Sequence, residues 1–519
     1  MNNGSSSRLT SVTMPAFAYP TGPYGLGALA ILFVPIVTWA LSAVRKRKPK
    51  SANLPVYHVV MGTNAAKVLE QGHKECPDTP FVLSQFGLDA VILPTSEIET
   101  VKSLPESELS IKHHHYNVFL GEYSYMGTKA DEFDATMRHL LVRNTPVVLD
   151  SFTAEVEHAV ETNIGGQLSE KGWTPIRVRD AMSRVASLMS GRAFVGLPLC
   201  RDPEWVEATT RYTQDVSIAY IYLRALNPII KPFVAPFSAQ VKSLLRHREI
   251  NVEKLAPLLE AKKDEAWKNF EVKAHDPPGG EMLDWFISRY MQSGKPPTVH
   301  QIVRDQLLAT FASIYNLSNA LTYVVFDLAA YPEHVEELRQ ELRDVLGSER
   351  TAITKSTLPK LKKLDSFVRE SQRMSPPSIA NIPRYVASSK GFTASTGHHI
   401  PKGHTVMVRA EPINRDPALW GDDVDKFDGF RFSKLRDLPG NEMKYQHTST
   451  GTDNINFGHG IWACPGRFFA SAEIKVVLAY LVANYELKLV PGEERPGHFH
   501  YGFAILPDTE GKIMFKRRE

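Results

Sequence analysis

The stretch FGHGIWACPGRFFA, Phe457 to Ala470, restricts what this 519-residue chain can fold into more than any other. Gly458, Gly460 and Gly466 suit a loop that turns tightly and brings backbone close to a flat partner. The apolar-periodic run after Arg467 reads as a helix. Cys464 therefore sits where loop becomes helix, with backbone N–H groups and the positive end of a helix dipole at hand to stabilise a thiolate. That setting suits a metal ligand. An isolated Cys-Pro-Gly reads equally as a buried structural cysteine after a turn.

The charge balance, 60 basic against 57 acidic residues for a net +3, excludes the concentrated positive charge of a nucleic-acid protein. With 43% hydrophobic and 23% charged residues the chain can bury a sizeable core. Cys76, Cys200 and Cys464 are its only cysteines, which leaves no disulfide framework and no CxxC metal pair, and predicts a reducing surrounding.

Between Arg8 and Arg45 there is no Asp, Glu, Lys or Arg, and the apolar run within residues 24–44 is long enough to cross a bilayer. It starts too late for a cleaved signal peptide and ends in RKRKPK. Arg45, Lys46, Arg47, Lys48 and Lys50 after the run, against Arg8 before it, predict a cytosolic C-terminal side. The expected organisation is a lumenal tail over 1–23, a transmembrane helix over 24–44, a basic and proline hinge over 45–55 and a cytosolic catalytic domain over 56–519.

The cysteine loop resembles that of the cytochrome P450 family, whose pattern is Phe, two residues, Gly, three residues, Cys, one residue, Gly. Phe457, Gly460, Cys464 and Gly466 match it, and the resemblance extends over nearly the whole chain after residue 50. It implies a mainly α fold with small β sheets behind one N-terminal transmembrane helix, and a haem b whose iron takes the Cys464 thiolate. It also implies dioxygen as co-substrate, electrons from NADPH through a separate P450 reductase, a small lipophilic substrate, and an endoplasmic reticulum membrane location.

Further residues follow from that resemblance. Glu370 and Arg373 in LDSFVRESQRMSPPS lie three apart on a helix face, and Arg431 in FDGFRF is their third partner in relatives. Arg384 in IPRYV matches a residue that reaches a haem propionate. MRHLLVRN resembles the helix that sends a second cation there, with Arg143 the first choice and His139 or Arg138 next; a solvated helix charge is the alternative. The longest helical pattern, Pro297 to Leu328, takes the place of the helix over the distal haem face. Tyr315, Ile379, Phe503, Ala504 and Ile505 are the candidate substrate contacts. The apolar run AYIYLRALNPIIKPFVAPF falls where relatives build a lid that dips into the membrane surface, though its aromatics read equally as core. His113, His114 and His115 lack carboxylate or Cys partners and diverge as neighbours, so a loop lining an apolar pocket is favoured over a metal site. Arg467, Lys475, Lys362 and Lys363 are expected to meet an acidic reductase surface.

Two positions depart from the family. Where fungal relatives often read AAIHTTS this chain reads ASIYNLS, Ala312 to Ser318, which keeps the small Ala312 and puts Asn316 at the usual Thr. Two residues before the cysteine, a basic residue gives way to Trp462, whose indole donates one hydrogen bond and carries no charge. Asn316 and Ala312 are the catalytic candidates of a monooxygenase. An isomerase or dehydratase needing no external electrons, and a non-enzymatic haem sensor, stay open at this level.

Overall fold

A capping box starts the helix round which the others pack: Gln301 N–H donates to the Thr298 hydroxyl at 3.2 Å while Thr298 N–H donates to the Gln301 side chain at 2.9 Å. The helix runs Val299–Ala330 and is apolar on nearly every side, as a helix enclosed by neighbours must be. The computed structural model describes residues 54–518 apart from 60–63, 86–87, 128–130, 171, 228, 271–279, 295–296 and 348–352. The expected lumenal tail, the 24–44 span and most of the hinge lie outside the described residues, among which no helix is long and apolar enough to cross a membrane.

In chain order the helices that matter here are α1 (Ala65–Glu75), α2 (Ile111–Val118), α3 (Thr145–Asn163), α4 (Val178–Phe194), α5 (Pro203–Ala225), α6 (Ala239–Phe270), α7 (Val299–Ala330), α8 (Lys362–Met374), α9 (Arg431–Arg436) and α10 (Arg467–Asn484). Helix α7 packs against α4, α5, α6, α8 and α10, and this helical mass holds the main core. Residues 111–118 are helical rather than the expected loop, because Ser110 caps them, its hydroxyl accepting the His113 N–H at 3.0 Å. Asp202 likewise accepts the Glu204 and Trp205 N–H groups at 2.9 Å and starts α5 ahead of Pro203. Beyond α5 the apolar run leaves the core: Phe233 and Phe237 are each 75% exposed.

The strands that matter here are β1 (Val56–Val59), β2 (Phe81–Gln85), β3 (Leu88–Leu93), β4 (Leu109–Ser110), β5 (Thr174–Arg177), β6 (Ala380–Val386), β7 (Thr405–Arg409), β8 (Tyr485–Leu489), β9 (His498–Tyr501), β10 (Ala504–Pro507) and β11 (Lys512–Arg517). The largest sheet has the order β1-β2-β3-β7-β6-β4, and β8-β11-β5 and the β9-β10 hairpin are separate. Register slips between Asn381 and Arg384 in β6, where Ile382 takes a φ of 54°. This bulge re-aims the strand at Arg384.

Helices α8, α9 and α10 are clamped by one buried carboxylate. Asp365 meets Lys475 Nζ at 2.5 Å and Arg436 Nη1 at 3.3 Å, and accepts the His447 N–H at 3.0 Å. Lys475 is thereby buried and is not the surface cation expected at a reductase interface. Burial pushes the Asp365 carboxyl up, but Lys475 and the hydrogen bonds outweigh it and hold the group below its ordinary range. Its stabilising contribution is therefore complete above the ordinary carboxylate pKa and is lost as pH falls through the depressed value. Asp365→Asn leaves Lys475 and Arg436 buried without their anion. Urea unfolding at neutral pH should show a loss of about 3–5 kcal/mol, and a variant within experimental error of the wild type would refute the clamp.

Candidate active site

The cysteine loop is pinned from both ends. Cys464 N–H donates to Phe457 O at 2.7 Å, closing the turn, and Ile461 N–H donates to Lys102 O at 3.2 Å. Gly460 has a φ of 72°, and a Cβ there would stand 2.4 Å from Lys102 O, so only glycine lets the loop lie against that backbone. Gly466 is the last residue before α10, and a Cβ there would lie 3.8 Å from Cys464 Sγ. Burial pushes the thiol pKa up, while the Gly466 N–H and the Arg467 charge and N–H pull it down. A metal ligand needs the deprotonated sulfur, and these groups are what the start of a helix offers it.

Glu370 is fully buried and receives Arg373 through two bonds of 2.8 Å and Arg431 Nε at 3.2 Å. The three side chains separated in sequence thus meet at one carboxylate. From there Arg373 Nη1 donates to Asn414 O at 2.8 Å, and the Asn414 amide joins that of Asn456 at 3.1 Å, one residue before Phe457. His447, whose N–H rests on Asp365, sets its ring edge-on to Phe457 at 5.2 Å. Both buried networks therefore end at the start of the cysteine loop.

A series of contacts and electrostatic neighbours runs from this loop to α7 and back, round an internal space. The Trp462 indole donates to Leu104 O at 2.7 Å and carries the Arg138 guanidinium over its face at 4.0 Å. Arg138 also donates to Ile461 O and lies within electrostatic range of Arg384, whose field in turn acts on His115. The His115 ring neighbours Phe119 at 6.5 Å, and Phe119 meets Phe311 of α7 at 5.0 Å. Two residues along α7, Ser313 Oγ meets Ser190 Oγ at 2.6 Å, and Ser190 donates to Glu473 of α10 at 3.0 Å, which returns the series to the cysteine helix.

What opens into this space stands out by its accessibility. Cys464 and His115 are exposed to a water-sized probe although both lie deep in the protein. Along the buried middle of α7, Ala312 and Asn316 alone are exposed, one turn apart on one face. The Asn316 amide donates to Ala312 O at 2.8 Å, so part of its hydrogen-bonding capacity is used within the helix and an oxygen and one N–H remain. Tyr315 stacks on Phe311 at 5.9 Å, in the aromatic wall. A cleft of about 430 Å³ is lined by Tyr116, Leu120, Arg224 and Tyr385 among others, and neither Cys464 nor Asn316 lines it.

Arg384 is 2% exposed and, among the described residues, has one hydrogen bond, to Pro383 O at 2.8 Å, while its Nε and Nη2 are buried without partners there. Burial pushes it down to about 10, and Arg138 adds repulsion. The unpartnered Arg384 suits a carboxylate of a bound group, and Arg138, paired with Asp134 at 2.8 Å, adds a second guanidinium beside the loop. The donor set fits a haem, with Cys464 for the iron and Arg384 and Arg138 for the propionates.

Several expected residues stand elsewhere. Arg143 and His139 are exposed, because residues 136–141 form a π-helical turn that brings Arg138 to the loop and carries Arg143 outward. Ile379 and Ile505 are sealed in a small core with Leu69 and Phe81 under the sheet, held there by the Ile379 N–H bond to Phe503 O at 2.9 Å, so they do not line the space. Phe503 packs against the same core, and Ala504, half-buried, bridges to Ser378. Lys363 is paired with Glu337 at 2.6 Å, and the Arg467 guanidinium turns back to Cys464 O at 2.9 Å, leaving Lys362 the freest of the proposed docking cations. Sequence reasoning missed Glu473, Ser190, Ser313 and Tyr501. Burial lifts the Glu473 carboxyl far above the ordinary range, with no cation to offset it, and nothing in the local pattern of an apolar helix marks such an acid.

A sequence profile described as cytochrome P450 matches residues 150–515. Cytochrome P450 monooxygenase ataF of Aspergillus terreus is 55% identical over 479 residues, 92% of this chain and 94% of that protein. Cytochrome P450 monooxygenase gliF of Aspergillus fumigatus is 54% identical over 497 residues, 95% of this chain and 97% of that protein. Among solved structures, retinoic-acid-bound cyanobacterial CYP120A1 superposes with a TM-score of 0.65 over 90% of this chain and 100% of that one; at 17% identity this speaks for the fold alone.

Arg138 and Arg143 separate two readings of one helix. Arg138→Leu and Arg384→Leu should each weaken retention of haem by roughly ten- to hundredfold, followed as haem absorbance per protein after gel filtration, while Arg143→Leu leaves it unchanged. Loss with Arg143→Leu alone would restore the original assignment.

Proposed function

This chain belongs to the cytochrome P450 family, and from that premise we propose that it is a membrane-anchored haem-thiolate monooxygenase that inserts one oxygen atom from dioxygen into a small lipophilic secondary metabolite, a terpenoid, indole diterpene or similar compound. The observation that carries the reading is the Cys464 sulfur, backed by helix N–H groups and opening into an enclosed space bordered by the Ala312–Asn316 face. A haem bound there supplies dioxygen binding and activation, to which thiolate donation contributes the push for O–O cleavage. Arg384 and Arg138 neutralise its carboxylates and fix its orientation. Ala312 leaves room beside the metal, and the remaining amide capacity of Asn316 holds a water that delivers protons. Electrons come from NADPH through a reductase docking on the face of the cysteine loop. The anchor is residues 24–44 in the endoplasmic reticulum membrane, with the exposed Phe233 and Phe237 reaching the membrane surface.

The hydrogen bond from Asn316 to Ala312 O favours a second reading, in which the amide serves the helix and the enzyme runs an isomerisation or dehydration without external electrons.

Reduced protein with carbon monoxide should absorb at the long-wavelength Soret position of thiolate ligation, and Cys464→Ala should abolish that band; its survival would sink the assignment. Protease added to sealed microsomes should digest most of the chain, whereas a protected body reverses the orientation. With NADPH consumption, peroxide and product measured together, Asn316→Ala should lower product per NADPH several-fold and raise peroxide, and Asn316→Thr should keep much of the coupling. Unchanged coupling in the Ala variant removes Asn316 from proton delivery, and turnover without NADPH selects the second reading.

A further inference from the structure

His115 is a polar side chain for which the haem-thiolate reading has no use. It lies on α2, shares a face with Phe119 and is open to the internal space. Among the described residues no hydrogen bond reaches either ring nitrogen; its ring contacts are with His114 and Phe119. Its neighbours are engaged otherwise: His113 with Ser110 at 2.9 Å and His114, at 3.4 Å, with Thr405. Burial and the charge of Arg384 push His115 down to about 4, so at neutral pH it is an uncharged imidazole with one donor and one acceptor.

The surroundings of that imidazole are aromatic. Phe119 meets Phe311 at 5.0 Å and Tyr220 of α5 at 6.3 Å, Phe311 stacks on Tyr315, and Tyr501 lies within electrostatic range of both Tyr220 and Tyr315. The acid of the series, Glu473, is fully buried behind Ser190 and offers no charge to a cationic ligand. The guanidinium groups of Arg384 and Arg138 are claimed by the propionates. The walls are aromatic, and the further charges close to them, Arg224 over the Tyr220 ring at 5.3 Å and Arg179 within electrostatic range of Tyr315, are cationic and disfavour a cationic ligand.

We propose that His115 is the positioning residue that orients the substrate by a hydrogen bond, and that the substrate is a neutral molecule with a flat apolar body carrying an amide, hydroxyl or N–H group within reach of it. A pure hydrocarbon would bury the imidazole unpaired, which the site penalises. This deepens the monooxygenase reading and rests on it.

The test uses the holoenzyme and two probes of matched shape, 2-naphthamide and 2-isopropylnaphthalene, with binding followed as the change in haem spin state. The wild type should prefer the amide. His115→Phe should weaken 2-naphthamide by about tenfold and leave 2-isopropylnaphthalene unchanged or tighter, and His115→Gln should restore most of the amide binding. Equal weakening of both probes, no weakening of either, or a wild type that does not prefer the amide overturns the proposal. So does an oxidised wild type with a nitrogen-ligated low-spin spectrum that reverts in His115→Phe, since His115 would then sit on the iron. The reduced carbon monoxide spectrum of every variant is the control: loss of the thiolate band in the wild type faults the haem-thiolate reading instead.

Discussion

Glu370 is a carboxylate buried without access to water, and it is met there by Arg373, Arg431 and the Asp428 N–H. Removing either side would leave a charge in a low-dielectric interior, so the three side chains hold α8 and α9 in one arrangement or the region does not form. Arg373 extends the constraint to the Asn414–Asn456 amide pair and so to Phe457, the first residue of the cysteine loop. Asp365, two turns of α8 earlier, does the same for α10 through Lys475. The loop itself is irregular and has few bonds of its own. Its shape is imposed by charges buried on either side of it, which is why a flexible Gly-rich segment can present a sulfur in a defined place.

The charge lost at Trp462 is recovered from elsewhere in the fold. Indole and guanidinium stack at 4.0 Å, a contact that holds Arg138 by cation–π attraction and leaves its charge beside Arg384. Asp134, paired with Arg138 at 2.8 Å, and Glu106, within electrostatic range of Arg384, moderate the repulsion between the two like charges. Burial likewise pushes the Glu473 carboxyl well up, and it accepts the Ser190 hydroxyl of a serine line that reaches α7.

The aromatic walls and the single open imidazole of His115 give the enclosed space a chemical character distinct from a uniformly greasy pocket. Residues around it come from α2, α5, α7 and the end of β9, elements far apart in the chain, so its selectivity is a property of their packing.

How much was legible in advance follows from the range of each interaction. The spacing of Phe457, Gly460, Cys464 and Gly466 is local, so the loop, the helix after it, the long helix near 297–328 and the Glu370–Arg373 face could be read from the sequence, and with them the family. The choice between Arg138 and Arg143 could not, because a π-helical turn shifts the phase of the helix and only contact with Trp462 selects the residue. The family resemblance put Ile379 and Ile505 at the substrate pocket, yet hydrogen bonding of Ile379 to Phe503 and of Ile505 to Pro377 turns them into the core under the sheet. Lys475 read as a surface cation until Asp365, far away in the chain, supplied its anion. The sequence by itself determined which chemistry the chain carries, since that depends on residue types at short spacing; the tertiary structure decided which side chains face the chamber, since burial and pairing of charge are settled by neighbours that sequence distance does not reveal.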